Sequence, residues 1–401
     1  MSAPTLPLKG IRIADFTIHA AGPFGTHVLS QLGAECIKIE SRTRPDAFRK
    51  PHAVYGRMTA ATFDQVASNK LSVRLNLKKP EAVEIARRIV AVSDIAAESF
   101  RPGVLKRLGL GFDELVKVRP DLLMLSLSSS GQSGPDSHFA GYAPLFGAWG
   151  GLGWMTGYPD GPPVEIRHVM DHTSGYHAAV AILAGLHQRR RTGKPQYIDL
   201  AAREVSSAMV GDALVMASMG LKAERPGNGD PGMAPHGVYE TAKPDRWLSI
   251  AVRNDAEWHK LLEVLDVAVE TVRPEFSSAH GRRENRESLD RQMSQWLSHF
   301  DADNLAGKLQ AVGVCAQVSL NMQDIADDEH LHQRGTLVSV DDPSVDRRFA
   351  VGFPARFSKT GAVGIHRGTP ELGQDEDYVF GELLGMNRDA RADLEAREVI
   401  F

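Results

Sequence analysis

The fold is decided by GIRIADF at residues 10–16, THVLSQLG at 26–33 and AECIKIE at 34–40. The first and third runs are short, apolar and flanked by turn residues, which is typical of buried β-strands. The second run has helical spacing and ends at a glycine, where helices commonly stop. A strand, a helix and a strand in this order predict a βαβ unit and therefore a parallel sheet.

Further strand and helix signals follow along the chain. We expect strands at 69–78, 94–100, 122–128 and 196–200, and helices at 81–92, 104–108 and 201–219. The composition becomes rich in Gly and Pro at 224–237, and a small α+β unit with a strand pair at 238–241 and 247–252 comes after it. The predicted division is a large domain at 1–205, a linker at 206–235, a small α+β domain at 236–325, and a linker with the C-terminal part at 326–401.

The loops after the strands are the expected ligand site, because open α/β sheets bind ligands at the carboxyl ends of their strands. The first such loop is 18–23, and the second, 41–50, is rich in cations. Arg42, Lys78 and Arg107 follow three of the strands in chain order. Such cations can hold phosphates, although a cationic loop is as often a solvated surface. No G-x-G-x-x-G follows the first strand, so we predict no dinucleotide site from a motif.

A second stretch, PPVEIRHVMDHTSGYH at residues 162–177, carries the candidate nucleophile. Its strand-like start leads to Asp171, at the mouth of a long apolar helix. The helix dipole and the unpaired N–H groups of the first turn stabilise a carboxylate there, and it remains ionised at neutral pH. A positioned carboxylate can attack an activated acyl group. Asp, Thr and Ser before an apolar helix are also ordinary N-caps, so this segment alone leaves both interpretations open.

Composition argues against several classes of protein. The net charge of −4 argues against bulk electrostatic capture of nucleic acid. Two cysteines are too few for a disulfide framework or a Cys-rich metal site, so we expect no metal. No apolar run reaches the roughly 20 residues of a membrane span, and the N-terminus lacks the charged and apolar zones of a signal peptide. We therefore expect a cytoplasmic protein with no membrane partner.

Several short motifs occur in one order along the chain: LKGIRIADFT at 8–17, AGP at 21–23, LGAECIKIE at 32–40, NKLSV at 69–73, SFRPGVL at 99–105, SGQSGP at 130–135, the Asp171 segment, and RTG at 191–193 with Gln196. In this order they resemble the family III coenzyme A transferases. That family includes formyl-CoA, carnitine and benzylsuccinate CoA-transferases and is related to the α-methylacyl-CoA racemases. The resemblance is dense over residues 8–205 and looser beyond them.

The resemblance implies an α/β fold with a Rossmann-like large domain and a smaller α+β domain, both ends of the chain returning to the large domain. It also implies that two chains interlock like linked rings, as a homodimer or as a heteromer with a paralogous subunit. Asp171 falls where the family has its catalytic aspartate. Coenzyme A, as co-substrate, would contact residues in and near the loops after the strands: His19, Ala20, Ala21, Leu75, Lys78, Ser99, Phe100, Val104, Arg107 and Tyr142.

Three features depart from the family pattern. The family's adenine-stacking arginine falls on Ser41, and the neighbouring Arg42 is the substitute that we include in the coenzyme A site. Ser99 stands where the family often has asparagine. The family's glycine run, which would supply N–H donors to an oxyanion, is interrupted here within 227–232, and 147–153 is a second candidate for those donors.

The expected reaction is transfer of coenzyme A through a mixed anhydride and a thioester on Asp171. A racemase is a second interpretation. It needs two bases that flank one carbon, and the racemase His-Asp pair is replaced here by Gly141-Tyr142-Ala143. A third interpretation is the coenzyme A-binding subunit of a heteromeric transferase, and a fourth is a generic nucleotide-binding α/β protein in which Asp171 caps a helix.

Two segments bear on the substrate. Residues 234–239 and 245–247 resemble the branch that handles succinyl-CoA and larger dicarboxylates such as benzylsuccinate. Four side chains are candidates to pair with an acceptor carboxylate, although a structural role explains each of them as well: Arg167, His168, His236 and Arg253.

Overall fold

The computed structural model describes residues 5–50, 61–166, 169–342 and 345–401. The chain divides into two compact units. The first unit comprises residues from 1–153, 165–219 and 329–401, and the second comprises 154–164 and 220–328. Each unit is therefore assembled from segments that are distant in the sequence.

The helices and strands alternate through the first half of the chain. Residues up to 155 form β1 (Arg12–Asp15), α1 (Ala21–Gln31), β2 (Glu35–Glu40), α2 (Ala61–Ala67), β3 (Leu71–Arg74), α3 (Pro80–Ala91), β4 (Ile95–Glu98), α4 (Val104–Arg107), α5 (Phe112–Leu115), β5 (Leu123–Ser128), α6 (Ala143–Gly150) and α7 (Leu152–Met155). Residues 169–218 form α8 (Val169–Thr192), β6 (Gln196–Ala201), α9 (Ala202–Met209) and α10 (Gly211–Ser218).

The second half is more irregular. Residues 236–326 form β7 (His236–Glu240), β8 (Trp247–Ala251), α11 (Asp255–Val264), two 3₁₀ turns (Val269–Thr271 and Pro274–Phe276), α12 (Ala279–Glu284), α13 (Arg286–Leu297), α14 (Ala302–Ala311), β9 (Cys315–Val318) and α15 (Met322–Ala326). Residues 329–396 form α16 (Glu329–Gln333), the antiparallel pair β10 (Leu337–Asp342) and β11 (Val345–Val351), a π-helix (Asp377–Leu383) and α17 (Arg388–Ala396).

A six-stranded sheet in the order β3–β2–β1–β4–β5–β6 forms the centre of the first unit. All of its pairings are parallel, which confirms the predicted parallel sheet and α/β class. Ala14 of β1 aligns with Ile37 of β2 on one side and with Ala96 of β4 on the other. From β1 the chain adds β2 and β3 on one side of the sheet and then β4, β5 and β6 on the other. The carboxyl ends of β1 and β4, where the two halves of the sheet meet, leave a crevice in which such sheets bind ligands.

Helices cover both faces of this sheet, as parallel strands require. On one face Ile89 of α3 packs in a cluster with Phe380 of the π-helix and Val399. On the other face Leu29 of α1 packs in a cluster with Ile182 of α8. Residues near the C-terminal end of the chain are therefore part of the core of the first unit.

The second unit is an antiparallel sheet, β7–β8–β9, packed on helices. Side chains of β8 alternate in burial, so Leu248 and Ile250 face a core that also holds Trp258. Arg282 is fully buried in this unit, with its guanidinium carbon 5.0 Å from the Trp258 ring centroid. These elements form the small α+β unit that the strand and helix signals predict.

Local details differ from the sequence-based expectations. Helix α1 begins at Ala21 rather than at residue 26, because a proline is accommodated in the first turn of a helix. The helix expected at 201–219 is two helices interrupted at Val210, so the residues up to 218 in the predicted linker are helical. Residues 162–166 form no strand, since Pro162 and Pro163 have no N–H to donate.

The described residues include neither a membrane-spanning helix nor a cluster of metal ligands. None of their helices has the length and apolar character needed to cross a membrane. Within the same ranges, no group of three or more His, Cys, Asp or Glu side chains is placed to hold a metal ion.

Candidate active site

The loops that carry most of the predicted coenzyme A residues lie at the carboxyl ends of the strands of the large sheet. Strands β3, β2, β1 and β4 are neighbours and parallel, so their carboxyl ends lie side by side. The loop after each of them contributes predicted residues: His19 to Ala21 after β1, Arg42 after β2, Leu75 and Lys78 after β3, and Ser99 and Phe100 after β4. The topology thus gathers positions that are distant in the sequence.

The loop after β1 is tied to the loop after β4 by Ser99. The Ser99 hydroxyl accepts a hydrogen bond from the Ile18 N–H at 2.9 Å and donates one to the Ile18 carbonyl at 3.1 Å. The next residue, His19, has a φ of 65°, a left-handed conformation that is uncommon outside glycine. Its ring meets the Phe48 ring edge-on at 6.3 Å and the Tyr142 ring at 5.9 Å. The His19 ring therefore contacts one other predicted residue, Tyr142, and one residue that was not predicted, Phe48.

A buried ion network supports this loop from below. Asp15, the last residue of β1, accepts hydrogen bonds from the Thr17 N–H at 3.0 Å and the Thr17 hydroxyl at 2.5 Å. Lys70 Nζ donates to Asp15 Oδ2 and to the Pro23 carbonyl, both at 2.9 Å, and Lys38 Nζ donates to the Thr17 carbonyl at 2.8 Å. Burial alone would raise the pKa of the Asp15 carboxyl, but the charges of Lys70 and Lys38 and the Thr17 hydrogen bond lower it to about 2.

Helices α1 and α8 approach each other through two glycines. A methyl group on Gly175 would lie 2.9 Å from the Ala21 carbonyl oxygen and 3.0 Å from the Gly25 nitrogen. A methyl group on Gly25 would lie 2.9 Å from the Gly175 carbonyl oxygen. Because Ala21 also begins α1, this contact fixes the first loop relative to the start of α8.

Asp171 is the third residue of α8 as described and lies in its first turn. It is therefore a helical residue rather than a cap in front of the helix. Asp171 is half-buried, and a carboxylate in a first turn is stabilised by the helix dipole. The neighbouring His172 packs edge-on against the Phe24 ring of α1, with the ring centroids 4.3 Å apart. Gly175 follows Asp171 by one helical turn, so the glycine contact holds the turn that carries this acid.

Glu165 is a second acid near the start of α8, and the sequence analysis missed it. Methyl groups on Gly147 and Gly153 would each collide with its carboxylate, and the Gly147 methyl would also touch Met170. The carboxylate therefore fills the space in front of two glycines. Burial raises its pKa. The glycines at 147 and 153 are the only hint of this packing in the sequence, because residues without a side chain leave room for another residue.

The predicted cations differ in how they are held. The guanidinium carbon of Arg42 lies 5.4 Å from the centroid of the Phe401 ring. Lys78 and Arg107 are exposed, and the Arg107 guanidinium lies near Gly103 at the start of α4. Lys78, in the loop after β3, and Arg107, at the end of α4, are therefore exposed cations that are available to phosphate groups.

The apolar residues that we predict to contact coenzyme A present mainly their backbone groups to a ligand, because several of their side chains are buried. Ala20, Ala21 and Leu75 are buried, and the Leu75 side chain belongs to the core of the sheet. Phe100 is half-buried against the same core, and Val104, the first residue of α4, is half-buried as well. A ligand at these strand ends would therefore meet main-chain groups at the three buried positions.

Glu98 is a further acidic residue that sequence reasoning did not single out. It ends β4, is buried, and accepts a hydrogen bond from the Phe100 N–H at 2.8 Å. Burial, reinforced by the charge of Asp199, raises the pKa of Glu98 to about 7 against the opposing hydrogen bonds from Ser126 and Phe100. Glu98 thus has a pKa near neutral pH and lies directly before Ser99 and Phe100, two of the predicted coenzyme A residues. A charged residue inside an apolar strand was the signal for it.

The glycine-rich segment at 227–232 uses several of its N–H groups internally. The Gly227 N–H donates to the Gly157 carbonyl and the Gly229 N–H to the Pro226 carbonyl, both at 2.9 Å. The Gly232 N–H donates to Asp230 Oδ1 at 2.8 Å. These three groups are therefore engaged, which weakens the expectation that they donate to an oxyanion.

The candidate partners of an acceptor carboxylate are also engaged where they are described. His236 Nδ1 lies 2.7 Å from the Asn228 carbonyl, and Arg253 pairs with Glu257 on the helix that follows it. Arg167 and His168 lie outside the described residues. Both described side chains therefore already have a partner within their own unit.

Comparison with known proteins agrees with the family resemblance seen in the sequence. The sequence model of CoA-transferase family III matches residues 8–376. A succinyl-CoA–D-citramalate CoA-transferase from Chloroflexus aurantiacus is 32% identical over 401 residues, which cover 99% of each chain. The beta subunit of a succinyl-CoA–L-malate CoA-transferase from the same organism is 31% identical, over 99% of this chain and 98% of that one.

The fold has a close match among solved structures. The crystal structure of a CaiB/BaiF family protein from Brucella suis superposes with a TM-score of 0.86. The two sequences are 29% identical, and the match covers 95% of this chain and all of the other. Sequence and structure comparisons therefore extend over both compact units.

Proposed function

This chain belongs to CoA-transferase family III, and we propose that it moves coenzyme A from succinyl-CoA to a dicarboxylic acid with Asp171 as the nucleophile. It is a CoA-transferase, and coenzyme A is its co-substrate. The names of two relatives support succinyl-CoA as the donor, and their acceptors, citramalate and malate, are both dicarboxylic acids. Benzylsuccinate is a larger acid of the same class.

The observation that carries the proposal is the position of Asp171. Its carboxylate lies in the first turn of a long helix, where the helix dipole stabilises an anion. The same turn is held against α1 by Gly175 and Gly25, and α1 starts at the loop of the predicted coenzyme A site. A carboxylate that is held in place and stabilised as an anion meets the requirements of a nucleophile for acyl transfer.

The proposed reaction begins on Asp171. A carboxylate oxygen attacks the thioester carbon of succinyl-CoA, and the C–S bond breaks to give a succinyl–aspartyl anhydride and the coenzyme A thiolate. The thiolate attacks the aspartyl carbonyl carbon, the anhydride C–O bond breaks, and succinate leaves behind an aspartyl-CoA thioester. Splitting the transfer in this way replaces one difficult step by easier ones.

The second half of the reaction mirrors the first. The acceptor carboxylate attacks the aspartyl-CoA thioester and releases the thiolate with formation of a new anhydride. The thiolate then attacks the acceptor's acyl carbon, which yields the acceptor thioester and restores the Asp171 carboxylate. No oxidant, reductant or further reactant is consumed.

We place coenzyme A along the carboxyl ends of the sheet strands. The loop of His19, Ala20 and Ala21 would hold one part of it, and Lys78 and Arg107 would pair with its phosphates. Charge-assisted contacts of this kind are stronger than neutral hydrogen bonds. The ion network under the loop supports this placement, because it fixes the backbone that the ligand would contact.

We propose further that the chain is paired with a second chain, in the interlocked arrangement that the resemblance implies. Apolar side chains on α8 and α10 are exposed, with Val180 at 65%, Leu214 at 55% and Val215 at 59%. No residue of α10 is buried. Exposed apolar side chains that lie next to each other on one helix, as Leu214 and Val215 do on α10, are typical of an interaction site. Light scattering of the purified chain should give twice its mass, whereas a monomer that is inactive without a paralogous chain would indicate a heteromer.

The test of the nucleophile is to replace Asp171 by alanine and by asparagine. Both variants should lose at least about 10⁴-fold in transfer between succinyl-CoA and dicarboxylic acids, as enzymes do when a nucleophile is removed. Calorimetric affinity for coenzyme A should persist. Near-normal turnover in either variant contradicts the assignment. Deuterium incorporation into a 2-methylacyl-CoA in D₂O, without exchange of coenzyme A, would instead indicate a racemase.

A further inference from the structure

The ring of Phe401 packs against the guanidinium of Arg42 in the loop after β2. The distance of 5.4 Å from the guanidinium carbon to the ring centroid lies within the roughly 6 Å reach of a cation–π contact. The Arg42 N–H also donates to the Phe401 carbonyl at 2.8 Å. Arg42 is exposed while Phe401 is half-buried. The ring therefore holds the guanidinium, while the arginine side chain keeps surface that a ligand can cover.

The segment that carries Phe401 is also anchored to the loop after β3. The Asn76 N–H donates to the Val399 carbonyl at 2.9 Å, and Asn76 Nδ2 donates to the Glu398 carbonyl at 3.3 Å. Val399 itself is 1% exposed in the core of the sheet. Phe401 is thus fixed between the loops of two neighbouring strands, and Lys78 lies on the second of these loops.

We propose that Phe401 is a positioning residue of the coenzyme A site, which orients the Arg42 guanidinium as a flat platform for the adenine ring. A guanidinium is planar and stacks on aromatic faces. A side chain that is already ordered by Phe401 loses less freedom when the ligand binds. This inference rests on the proposed coenzyme A site and names a residue that the sequence analysis did not include.

Arg42 can act on coenzyme A in a second way, by pairing with a phosphate. The two roles involve different parts of the ligand. 3′-Dephospho-CoA keeps the adenine and lacks the 3′-phosphate, and 4′-phosphopantetheine lacks the whole adenosine part. Thioesters of these two molecules therefore separate stacking from ion pairing.

The experiment compares Arg42→Ala, Phe401→Ala and the double variant with two matched controls. Arg44→Ala removes a cation from the same loop, and Phe357→Ala removes an exposed ring that packs against Phe353 instead of a predicted coenzyme A residue. For each protein, kcat and KM are measured with the succinyl thioesters of coenzyme A, 3′-dephospho-CoA and 4′-phosphopantetheine. Calorimetry gives the Kd of coenzyme A alone.

Loss of the platform should appear in KM and not in kcat. Arg42→Ala should weaken coenzyme A binding about 5- to 100-fold, the range for loss of one stacked base. Phe401→Ala should weaken it about 2- to 5-fold, as expected for one exposed cation–π contact. The double variant should be no worse than Arg42→Ala. These losses should persist with the dephospho thioester and vanish with the phosphopantetheine thioester, and the controls should match the wild type.

Three results would overturn the inference. The first is an unchanged Phe401→Ala variant beside an impaired Arg42→Ala variant. The second is an equal Phe401→Ala loss with the phosphopantetheine thioester, which indicates general structural damage. The third is disappearance of the Arg42→Ala loss with the dephospho thioester, which indicates phosphate pairing. The Kd of coenzyme A measures the effect of Phe401 and Arg42 on binding even if succinyl-CoA is not the donor. A failure of the proposed function can therefore be distinguished from a failure of this inference.

Discussion

Replacing Gly175 by alanine tests whether the contact between α1 and α8 positions Asp171. The new methyl group would lie 2.9 Å from the Ala21 carbonyl oxygen and 3.0 Å from the Gly25 nitrogen. Both are backbone atoms, so the helices themselves have to separate. Overpacking of this kind costs about 1–3 kcal/mol, while alanine in place of glycine in a helix gains about 1 kcal/mol. We expect a net loss of up to about 2 kcal/mol in the free energy of unfolding.

The loss of activity should be larger than the loss of stability suggests. A shift of about 1 Å in a reacting group can reduce turnover about 100-fold, and Asp171 lies one helical turn before Gly175. We expect kcat to fall at least about tenfold at a temperature where the variant is still folded. Urea denaturation followed by circular dichroism gives the stability, and steady-state transfer from succinyl-CoA gives kcat.

Gly307→Ala is the matched control. Gly307 lies inside α14, and a methyl group there meets no atom within 4 Å apart from the backbone of its own helix. That variant should gain up to about 1 kcal/mol from helix propensity, with unchanged kcat. If Gly175→Ala behaves in the same way, the close approach of α1 and α8 does not position the nucleophile and the reasoning is refuted.

Three further changes probe the surroundings of the site. Ser99→Ala removes both hydrogen bonds to Ile18; it should raise KM for the acyl-CoA with little change in kcat, and cost about 1 kcal/mol of stability in urea. Lys70→Met leaves Asp15 buried without its ion pair and should cost about 3–5 kcal/mol at pH 7; the loss should shrink near pH 3, where protonation neutralises the carboxyl, and a cost that is the same at both pH values would contradict this origin. The folded-state pKa of Glu98 is raised from 4.5 to about 7, so its proton contributes stability that is complete below pH 4.5 and is lost as the pH rises through 7. At about 1.4 kcal/mol for each pKa unit the wild type should lose about 3 kcal/mol over that window, and Glu98→Gln should remove this part of the pH dependence in denaturation curves.

The sheet was the part of the fold that could be predicted most closely. The expected strand at 122–128 is β5 at Leu123–Ser128, and the expected strand at 34–40 is β2 at Glu35–Glu40. Strands that are buried on both faces leave short, continuous apolar runs in the sequence, and these runs are local signals. The βαβ order then implied which ends of the strands meet.

The support of the site could not be predicted in the same way, because it depends on residues that are far apart in the sequence. The alternation at 69–78 indicates a strand with one exposed face, yet Ser72 is buried because residues of the C-terminal segment hydrogen-bond to it. Lys70 is buried because Asp15 pairs with it. A lysine in a sequence gives no sign that a carboxylate from another strand will neutralise it.

The region beyond residue 325 was the least predictable. Its periodicity is weak, but Phe380 and Val399 are buried in the core of the large sheet. A π-helix and isolated apolar residues leave no regular repeat, so their packing becomes visible only in the folded chain. The contact between Phe401 and Arg42 belongs to this group.

The central claim is that Asp171 becomes covalently loaded during turnover. Hydroxylamine added to the enzyme in the presence of succinyl-CoA would convert an aspartyl anhydride or thioester into a hydroxamate, which peptide mass spectrometry can locate. The account predicts a hydroxamate on Asp171 that depends on succinyl-CoA and is absent from Asp171→Asn. Steady transfer of coenzyme A without any adduct at Asp171, or with the adduct on another residue, would contradict it.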